Sequence, residues 1–126
     1  MNKGIYCLII YLDKKRKIKI GKLGNIGFKK GYYCYVGSAL NNLEKRINRH
    51  ISKTKKIRWH IDYFLKYGKI IDVKTIKINK KFECKLSKII EKISQEAIKN
   101  FGSSDCKCKS HLYYSKKKLS KINCVA

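Results

Sequence analysis

Positive charge dominates this chain. It carries 32 Lys and Arg residues against 8 Asp and Glu residues, which gives a formal net charge of +24 over 126 residues. So much like charge repels itself when the chain becomes compact. A folded domain must therefore spread its cations over the surface and build its core from the hydrophobic residues, which make up 44% of the chain. That fraction is enough for a packed core, and the length is that of one domain.

The same imbalance indicates the kind of partner. A polyanion would relieve the repulsion, and nucleic acid is the commonest polyanion that basic proteins bind. We expect DNA first, with RNA as the alternative. An anionic membrane is a further alternative, but no helix predicted below combines a basic face with a bulky apolar face. We therefore expect no membrane partner. A lysine-rich coding bias would explain part of the lysine content, though not the scarcity of acidic residues.

The sequence also bears on the compartment. Apolar runs such as residues 7–10 are far too short to cross a bilayer. No signal-peptide pattern stands before the first strand-like run. We therefore expect a cytoplasmic protein. Because the cytoplasm is reducing, the six cysteines are expected to be thiols rather than a disulfide framework.

Apolar periodicity predicts strands in the first third of the chain. Residues 4–12 are β-branched and aromatic, residues 17–21 alternate polar and apolar side chains, and residues 32–37 are dense in tyrosine. Three glycines mark the loop before the last of these runs: Gly24, Gly27 and Gly31. We expect the three strands to form one antiparallel sheet.

Helical signals dominate the rest of the chain. Three helices and two strands are predicted, the helices at residues 42–51, 59–67 and 82–98 and the strands at 69–78 and 111–114. The buried stripe of the last helix is expected to comprise Leu86, Ile89, Ile90, Ile93 and Ala97. This order predicts the α/β class, more narrowly α+β: a small sandwich whose mixed or antiparallel sheet is flanked by about three helices. We expect one domain over residues 1–114 and a flexible basic tail over 115–126.

Two short motifs carry the chemical signal. Gly4-Ile5-Tyr6 opens the first strand, and Tyr35-Val36-Gly37 closes the third. If these strands pair as neighbours, both tyrosines face the same edge of the sheet. The helix that follows would then bring Arg46 and His50 to one face, because residues i and i+4 lie one above the other.

In order and spacing, these motifs resemble the GIY-YIG nuclease superfamily. Its signature is Gly-Ile-Tyr, Tyr-(Ile/Val)-Gly, Leu-x-x-Arg-x-x-x-His and then a Glu on a later helix, and the similarity here runs from Gly4 to Glu83. The archaeal branch with a Uri-type endonuclease domain resembles nearly the whole chain. The segments that carry this second resemblance are residues 31–40, Trp59-His60-Ile61-Asp62-Tyr63 and residues 102–112.

The resemblance implies a role for five residues. Tyr6 would act as general base or proton relay at the attacking water, and Tyr35 would bind the scissile phosphate or its water. A tyrosine pKa of about 10 is high for that work, so a cation or the metal would have to assist. Arg46 would stabilise charge on the phosphoryl oxygens. His50 would orient Tyr6 or shuttle a proton, and Glu83 would hold one Mg²⁺ or Mn²⁺ ion.

The implied function is that of a metal-dependent endonuclease that hydrolyses phosphodiester bonds in DNA, with structure-selective cutting in repair or recombination as one use. The alternative is a catalytically inactive basic module that binds nucleic acid. Because the chain has only 8 Asp and Glu residues, one ion is expected rather than a two-metal carboxylate cluster. Two features depart from the superfamily. The gap between Tyr6 and Tyr35 is long, and Asn100 only loosely matches an Asn that often follows the Glu.

Basic side chains around the helices are expected to bind phosphates of the substrate without reading bases. The residues predicted for this role are Lys45, Arg49, Lys55, Lys56, Arg58 and His60.

A second candidate site lies near the C-terminus. It comprises Ser104, Asp105, Cys106, Cys108 and His111. Two thiols and an imidazole in six residues would suit Zn²⁺, but the usual Cys-x-x-Cys pair is missing. We prefer a structural turn with buried thiols. Zinc at Cys106, Cys108 and His111 is one alternative, and a catalytic role for Asp105 or His111 is another.

Overall fold

The computed structural model describes residues 4–39, 43–52, 57, 59–76, 83–94, 96–98, 101 and 110–116. Within these ranges the chain forms two β-sheets and three α-helices. The strands are β1 (Gly4–Leu12), β2 (Arg16–Lys19), β3 (Asn25–Phe28), β4 (Gly31–Ala39), β5 (Lys69–Ile76), β6 (Glu96–Ala97) and β7 (Leu112–Ser115). The helices are α1 (Leu43–Ile51), α2 (His60–Phe64) and α3 (Glu83–Ile93), with a 3₁₀ turn at Gly21–Leu23.

The main sheet is antiparallel and is built around β1 and β4. Its strand order is β5-β1-β4-β7-β6. The pairing of β1 with β4 runs from Gly4 opposite Ala39 to Leu12 opposite Gly31 without interruption. Both runs are nine residues long and rich in β-branched and aromatic side chains, which favours a central position in a sheet. For the described residues, the prediction of an α+β sandwich with an antiparallel sheet and three helices is confirmed.

Side-chain alternation gives the main sheet two different faces. One face bears Tyr6, Tyr33 and Tyr35, and we call it the tyrosine face. Leu43 of α1 and Phe64 of α2 belong to the hydrophobic core on this face. The fold therefore places α1 and α2 over the side of the sheet toward which both motif tyrosines point.

The opposite face is covered by α3. Leu86 and Ile90 of this helix pack in one cluster with Ile5 and Cys7 of β1. The buried hydroxyl of Ser87 also donates a hydrogen bond of 3.0 Å to the carbonyl oxygen of Ser110, just before β7. This bond fixes α3 against the sheet.

The prediction that residues 17–21 belong to the same sheet as β1 and β4 is wrong. β2 pairs with β3 instead, in a separate two-stranded sheet. The two strands have four residues each, and the turn between them contains Gly21 and Gly24 with φ of 47° and 77°. Glycine adopts such angles without steric cost, so the chain can reverse tightly here. Alternation of side chains had revealed the strand but not its partner.

The last helix is shorter than predicted. It ends at Ile93, and Glu96–Ala97 forms β6, which pairs with β7. Ser94 donates a hydrogen bond of 2.7 Å to the carbonyl oxygen of Ile90, a local bond that competes with continuing the helix. Ala97 is therefore not on the helix, and Ile89 is 41% exposed rather than buried. The side chain of Ile93 lies outside the described set.

The loop predicted around Gly24, Gly27 and Gly31 is wrong in part, because Asn25–Phe28 forms β3; β6 was not predicted either. The other elements begin and end near their predicted places, although α2 is shorter than residues 59–67. Ser115, the first residue of the predicted tail, is buried in β7. Residues 117–126 lie outside the described ranges, so the boundary between domain and tail stays a prediction. None of the helices described is long and apolar enough to span a bilayer.

Candidate active site

The hydroxyl of Tyr6 meets the imidazole of His50 inside the protein. Tyr6 points from β1 toward the tyrosine face, and His50 lies in the last turn of α1. The Tyr6 Oη and His50 Nε2 atoms are 2.7 Å apart, which is a hydrogen bond. Each residue is only 1% exposed. The pairing joins the first motif to the helix that follows the second.

Gly37, the last residue of the second motif, makes room for the Tyr6 ring. The two residues are directly opposite in the β1–β4 register. A Cβ atom on Gly37 would lie 2.4 Å from both Cζ and Oη of Tyr6. No side chain fits at that distance, so the glycine is required by close approach of the aromatic ring rather than by an unusual backbone angle.

A second tyrosine completes a cluster of three rings. The ring of Tyr35 is centred 6.4 Å from that of Tyr6 and 6.2 Å from that of His50. Both tyrosines face the same side because Leu8 lies opposite Tyr35 and Tyr6 opposite Gly37, two positions along. The expectation that the two motifs would share a side of the sheet is therefore correct.

Arg46 lies one helical turn before His50 and next to the second motif. Its Nη1 atom donates a hydrogen bond of 2.9 Å to the carbonyl oxygen of Ser38, the residue after Gly37. Its guanidinium carbon is 4.6 Å from the centre of the Trp59 ring, in the range of a cation–π contact. The guanidinium is thus held at the end of β4.

Trp59 joins these groups, although the sequence did not place it among the predicted site residues. Its ring is centred 5.8 Å from the ring of His50. The guanidinium carbon of Arg49 is 4.2 Å from its centre, in addition to that of Arg46. Trp59 is therefore in contact with three cationic or titratable groups of α1.

Asp62 is the second residue that sequence reasoning did not assign. It is 0% exposed, and its two carboxylate oxygens accept hydrogen bonds of 3.0 Å each from Nη1 and Nη2 of Arg49. Oδ2 also accepts a bond of 2.9 Å from the backbone N–H of Trp59. An acidic residue three positions after Trp59, at the start of a predicted helix, was the available signal for this backbone contact.

Comparison with known protein families shows to which family the chain belongs. A family model described as "Domain of unknown function DUF123" matches residues 5–126. The chain belongs to the DUF123 family. Searches among curated proteins and among solved structures each gave no match. The family description assigns no activity, so the activity of this DUF123 domain has to be inferred from its side chains.

The predicted phosphate contacts of the DUF123 domain fall into two groups. Lys55, Lys56 and Arg58 lie outside the described residues. Lys45 is exposed on α1, whereas Arg49 has its charge matched by buried Asp62. Burial lowers the pKa of His60 from the ordinary value of 6.5, which favours the neutral imidazole. A neutral His60 can donate a hydrogen bond to a phosphate but adds no charge. All six contacts stay predictions.

Glu83, the predicted metal ligand, is the first residue of α3, the helix that packs on the face of the sheet opposite Tyr6 and Tyr35. Its side chain lies outside the described set, so the metal prediction stays untested. Among the residues that the structure describes, no three His, Cys, Asp or Glu side chains form a group able to hold a metal ion.

The second candidate site is described at one residue only. His111 is buried, and its Nδ1 lies 3.2 Å from the carbonyl oxygen of Val36, which precedes Gly37. Ser104, Asp105, Cys106 and Cys108 lie outside the described residues, so neither zinc nor a structural turn is tested. Two other cysteines, Cys7 and Cys34, are buried in the main sheet.

Proposed function

We propose that this DUF123 domain is a GIY-YIG-type nuclease that hydrolyses phosphodiester bonds in DNA with the help of one divalent metal ion. One observation carries the proposal: Tyr6 and His50 share a hydrogen bond of 2.7 Å, with Tyr35 and Arg46 beside them. These residues come from β1, β4 and α1. A set of ordinary core tyrosines and surface cations would have no reason to converge on one place.

The Tyr6–His50 pair can carry a proton away from an attacking water. The water would give a proton to Oη of Tyr6 as its oxygen forms a bond to phosphorus. In the same step Oη would give its own proton to Nε2 of His50, so that the phenol stays neutral and the imidazole becomes cationic. The bond from phosphorus to the leaving oxygen then breaks, that oxygen takes up a proton from solvent water, and the imidazolium of His50 gives its proton back to solvent. This relay avoids a free phenolate, which the high pKa of tyrosine disfavours.

Arg46 and Tyr35 suit the phosphate side of the reaction. Negative charge builds on the phosphoryl oxygens in the transition state, and preorganised donors stabilise it. An arginine has five N–H donors, and the bond to Ser38 uses one of them. Holding the guanidinium against Ser38 and Trp59 fixes its direction before substrate arrives. The hydroxyl of Tyr35 would supply a further hydrogen bond to the phosphate.

The proposed metal ion would be held by Glu83. A carboxylate joined by water and phosphate oxygens is an all-oxygen shell, which fits Mg²⁺ or Mn²⁺. When bound, the ion would neutralise phosphate charge and make the attacking water more acidic. Tyr6, Tyr35, Arg46 and His50 would orient the phosphate and move the proton.

The proposed substrate follows from the charge of the chain. A net charge of +24 suits a polyanion, and Lys45, next to Arg46 on α1, is exposed. Contacts of this kind hold the phosphate backbone whatever the sequence. We therefore propose cleavage with weak sequence preference, in which the shape of the DNA decides where the cut falls.

A cleavage assay tests the proposal. Labelled single-stranded, duplex and branched DNA and RNA are incubated with the protein in Mg²⁺, Mn²⁺ or EDTA. Three variants are compared with wild type: Tyr6→Phe, Arg46→Ala and Glu83→Ala. We expect cleavage that needs metal and that falls by about 100-fold or more in all three variants.

Two matched controls separate chemistry from folding. Tyr33→Phe removes a tyrosine hydroxyl on β4 that donates to the carbonyl oxygen of Lys29 rather than to His50. Glu91→Ala removes a carboxylate from the same helix as Glu83. Both controls should cleave like wild type. Binding of DNA without cleavage under any metal would instead support the inactive binding module.

A further inference from the structure

Asp62 is a fully buried carboxylate at the edge of the proposed active site. An ionised carboxylate is unfavourable away from water unless cations and N–H donors take the place of its hydration. Here Arg49 supplies two parallel N–H donors and Trp59 supplies its backbone N–H. The carboxylate thus ties a side chain of α1 to the residue from which α2 begins.

Trp59, whose backbone N–H is held by Asp62, is in direct contact with two proposed active-site residues. The guanidinium carbons of Arg46 and Arg49 are 4.6 and 4.2 Å from the centre of the Trp59 ring. The ring also packs against the imidazole of His50, at 5.8 Å between ring centres. A shift of Trp59 would therefore displace both the guanidinium and the imidazole.

We propose that Asp62 is a positioning residue for the reaction. Through Arg49 and Trp59, it holds Arg46 and His50 in the arrangement in which they act on the scissile phosphate. The inference rests on the proposed nuclease function and adds two residues to it. It also gives Arg49 a different task from the phosphate contact expected from sequence, because the buried carboxylate matches its charge.

The geometry of the Asp62–Arg49 pair explains why a carboxylate suits this position. Arginine and carboxylate meet as two flat forks, and two parallel bonds fix the angle between them as well as the distance. The guanidinium carbon of Arg49 is then held 4.2 Å from the centre of the Trp59 ring. An asparagine at position 62 keeps one acceptor for the backbone of Trp59 but loses the second acceptor and the charge.

Trp59 is the single tryptophan of the chain, so its fluorescence reports on this arrangement directly. The test compares wild type, Asp62→Asn and the control Asp72→Asn. Asp72 also pairs with a cation and accepts a backbone N–H, but it lies on β5. Each folded protein is measured for kcat and KM on DNA in Mg²⁺, for tryptophan emission, and for acrylamide quenching.

We expect Asp62→Asn to lower kcat by about 10- to 100-fold, the usual effect of misplaced catalytic groups. KM should change by less than about threefold, because phosphate binding by the surface cations is retained. The emission maximum should shift and acrylamide quenching should rise, since the indole loses its fixed neighbours. Asp72→Asn should change none of these values. Wild-type kcat and emission in Asp62→Asn would overturn the proposal, as would a loss confined to KM.

A second variant covers the case in which Asp62→Asn does not fold. Arg49→Gln combined with Asp62→Asn removes both charges and keeps polar side chains that can pair. We expect this protein to fold and to keep a low kcat. If it folds with wild-type kcat, or if neither variant folds, Asp62 has a purely structural role and the proposal is overturned. Absence of cleavage by wild type in any metal is a different result, because it removes the nuclease function itself.

Discussion

The hydroxyl of Tyr6 and Nε2 of His50 are 2.7 Å apart, although the two residues are 44 positions apart in sequence and lie on a strand and a helix. Both are almost completely buried. Three features bring them together: the β1–β4 pairing, the glycine opposite Tyr6, and the start of α1 shortly after β4 ends. Because the two side chains are in contact, a double variant that changes both can show whether they act together.

Tyr6→Phe and His50→Ala should not have additive effects. If the two groups form one proton path, either change breaks it, and the double variant loses no more than the worse single variant. Each single change should lower kcat by about 10²- to 10⁴-fold, the usual contribution of general acid–base catalysis. The measurement is kcat on one DNA substrate for the three variants and wild type. Losses that multiply in the double variant would mean that the two residues act independently.

Gly37→Ala should displace the Tyr6 ring. The new methyl carbon would lie 2.4 Å from Cζ and Oη of Tyr6, so the ring or the strand must move. We expect a loss of kcat close to that of Tyr6→Phe and a decrease of about 1–3 kcal/mol in the free energy of unfolding, as for other overpacked sites. Cleavage and urea unfolding measure the two effects.

Gly27→Ala is the matched control for this steric argument. Nothing lies within 4 Å of a Cβ atom built on Gly27, and its φ is not in the positive range. Its kcat and unfolding free energy should stay near those of wild type. Equal losses in Gly27→Ala and Gly37→Ala would show that the effect is not caused by contact with Tyr6.

Much of this arrangement follows from local patterns. Period-two alternation places Tyr35 and Gly37 on one face of β4, and the spacing of Arg46 and His50 places them one turn apart on α1. These rules need only the right neighbours for each strand. The same reasoning failed for β2, because four alternating residues identify a strand but carry no information on which strand it pairs with.

The parts that sequence did not reveal depend on contacts between distant elements. Asp62 has an unremarkable position near a helix start, and only its pairing with Arg49 of another helix explains its complete burial. Trp59 lies in a segment that resembles the Uri-type branch, yet its contact with two guanidinium groups depends on how α1 and α2 pack together. No sequence periodicity in either helix predicts how the two helices pack against each other.

His60 should make stability depend on mild acid. Its pKa is lowered by burial, so the unfolded chain binds a proton more readily than the folded protein. The titration of His60 therefore leaves the free energy of unfolding unchanged above the pKa of histidine in the unfolded chain, about 6.5. The free energy of unfolding falls as the pH drops below that value. We expect wild type to lose more unfolding free energy than His60→Gln between pH 7.5 and 5.5, as measured by urea denaturation. Equal losses would contradict the burial effect on this residue.

Lys45→Ala should weaken DNA binding in a way that depends on salt. Lys45 is exposed on α1, next to Arg46. If it neutralises one phosphate, its loss should reduce the slope of log K against log salt on duplex DNA by about 0.9, while kcat at saturating DNA stays unchanged. The measurement is a series of binding titrations from low to moderate salt. Lys88→Ala, on the exposed side of α3 and so over the other face of the sheet, is the control. An equal change of slope in both variants would indicate a diffuse cationic atmosphere rather than DNA seated over the tyrosine face.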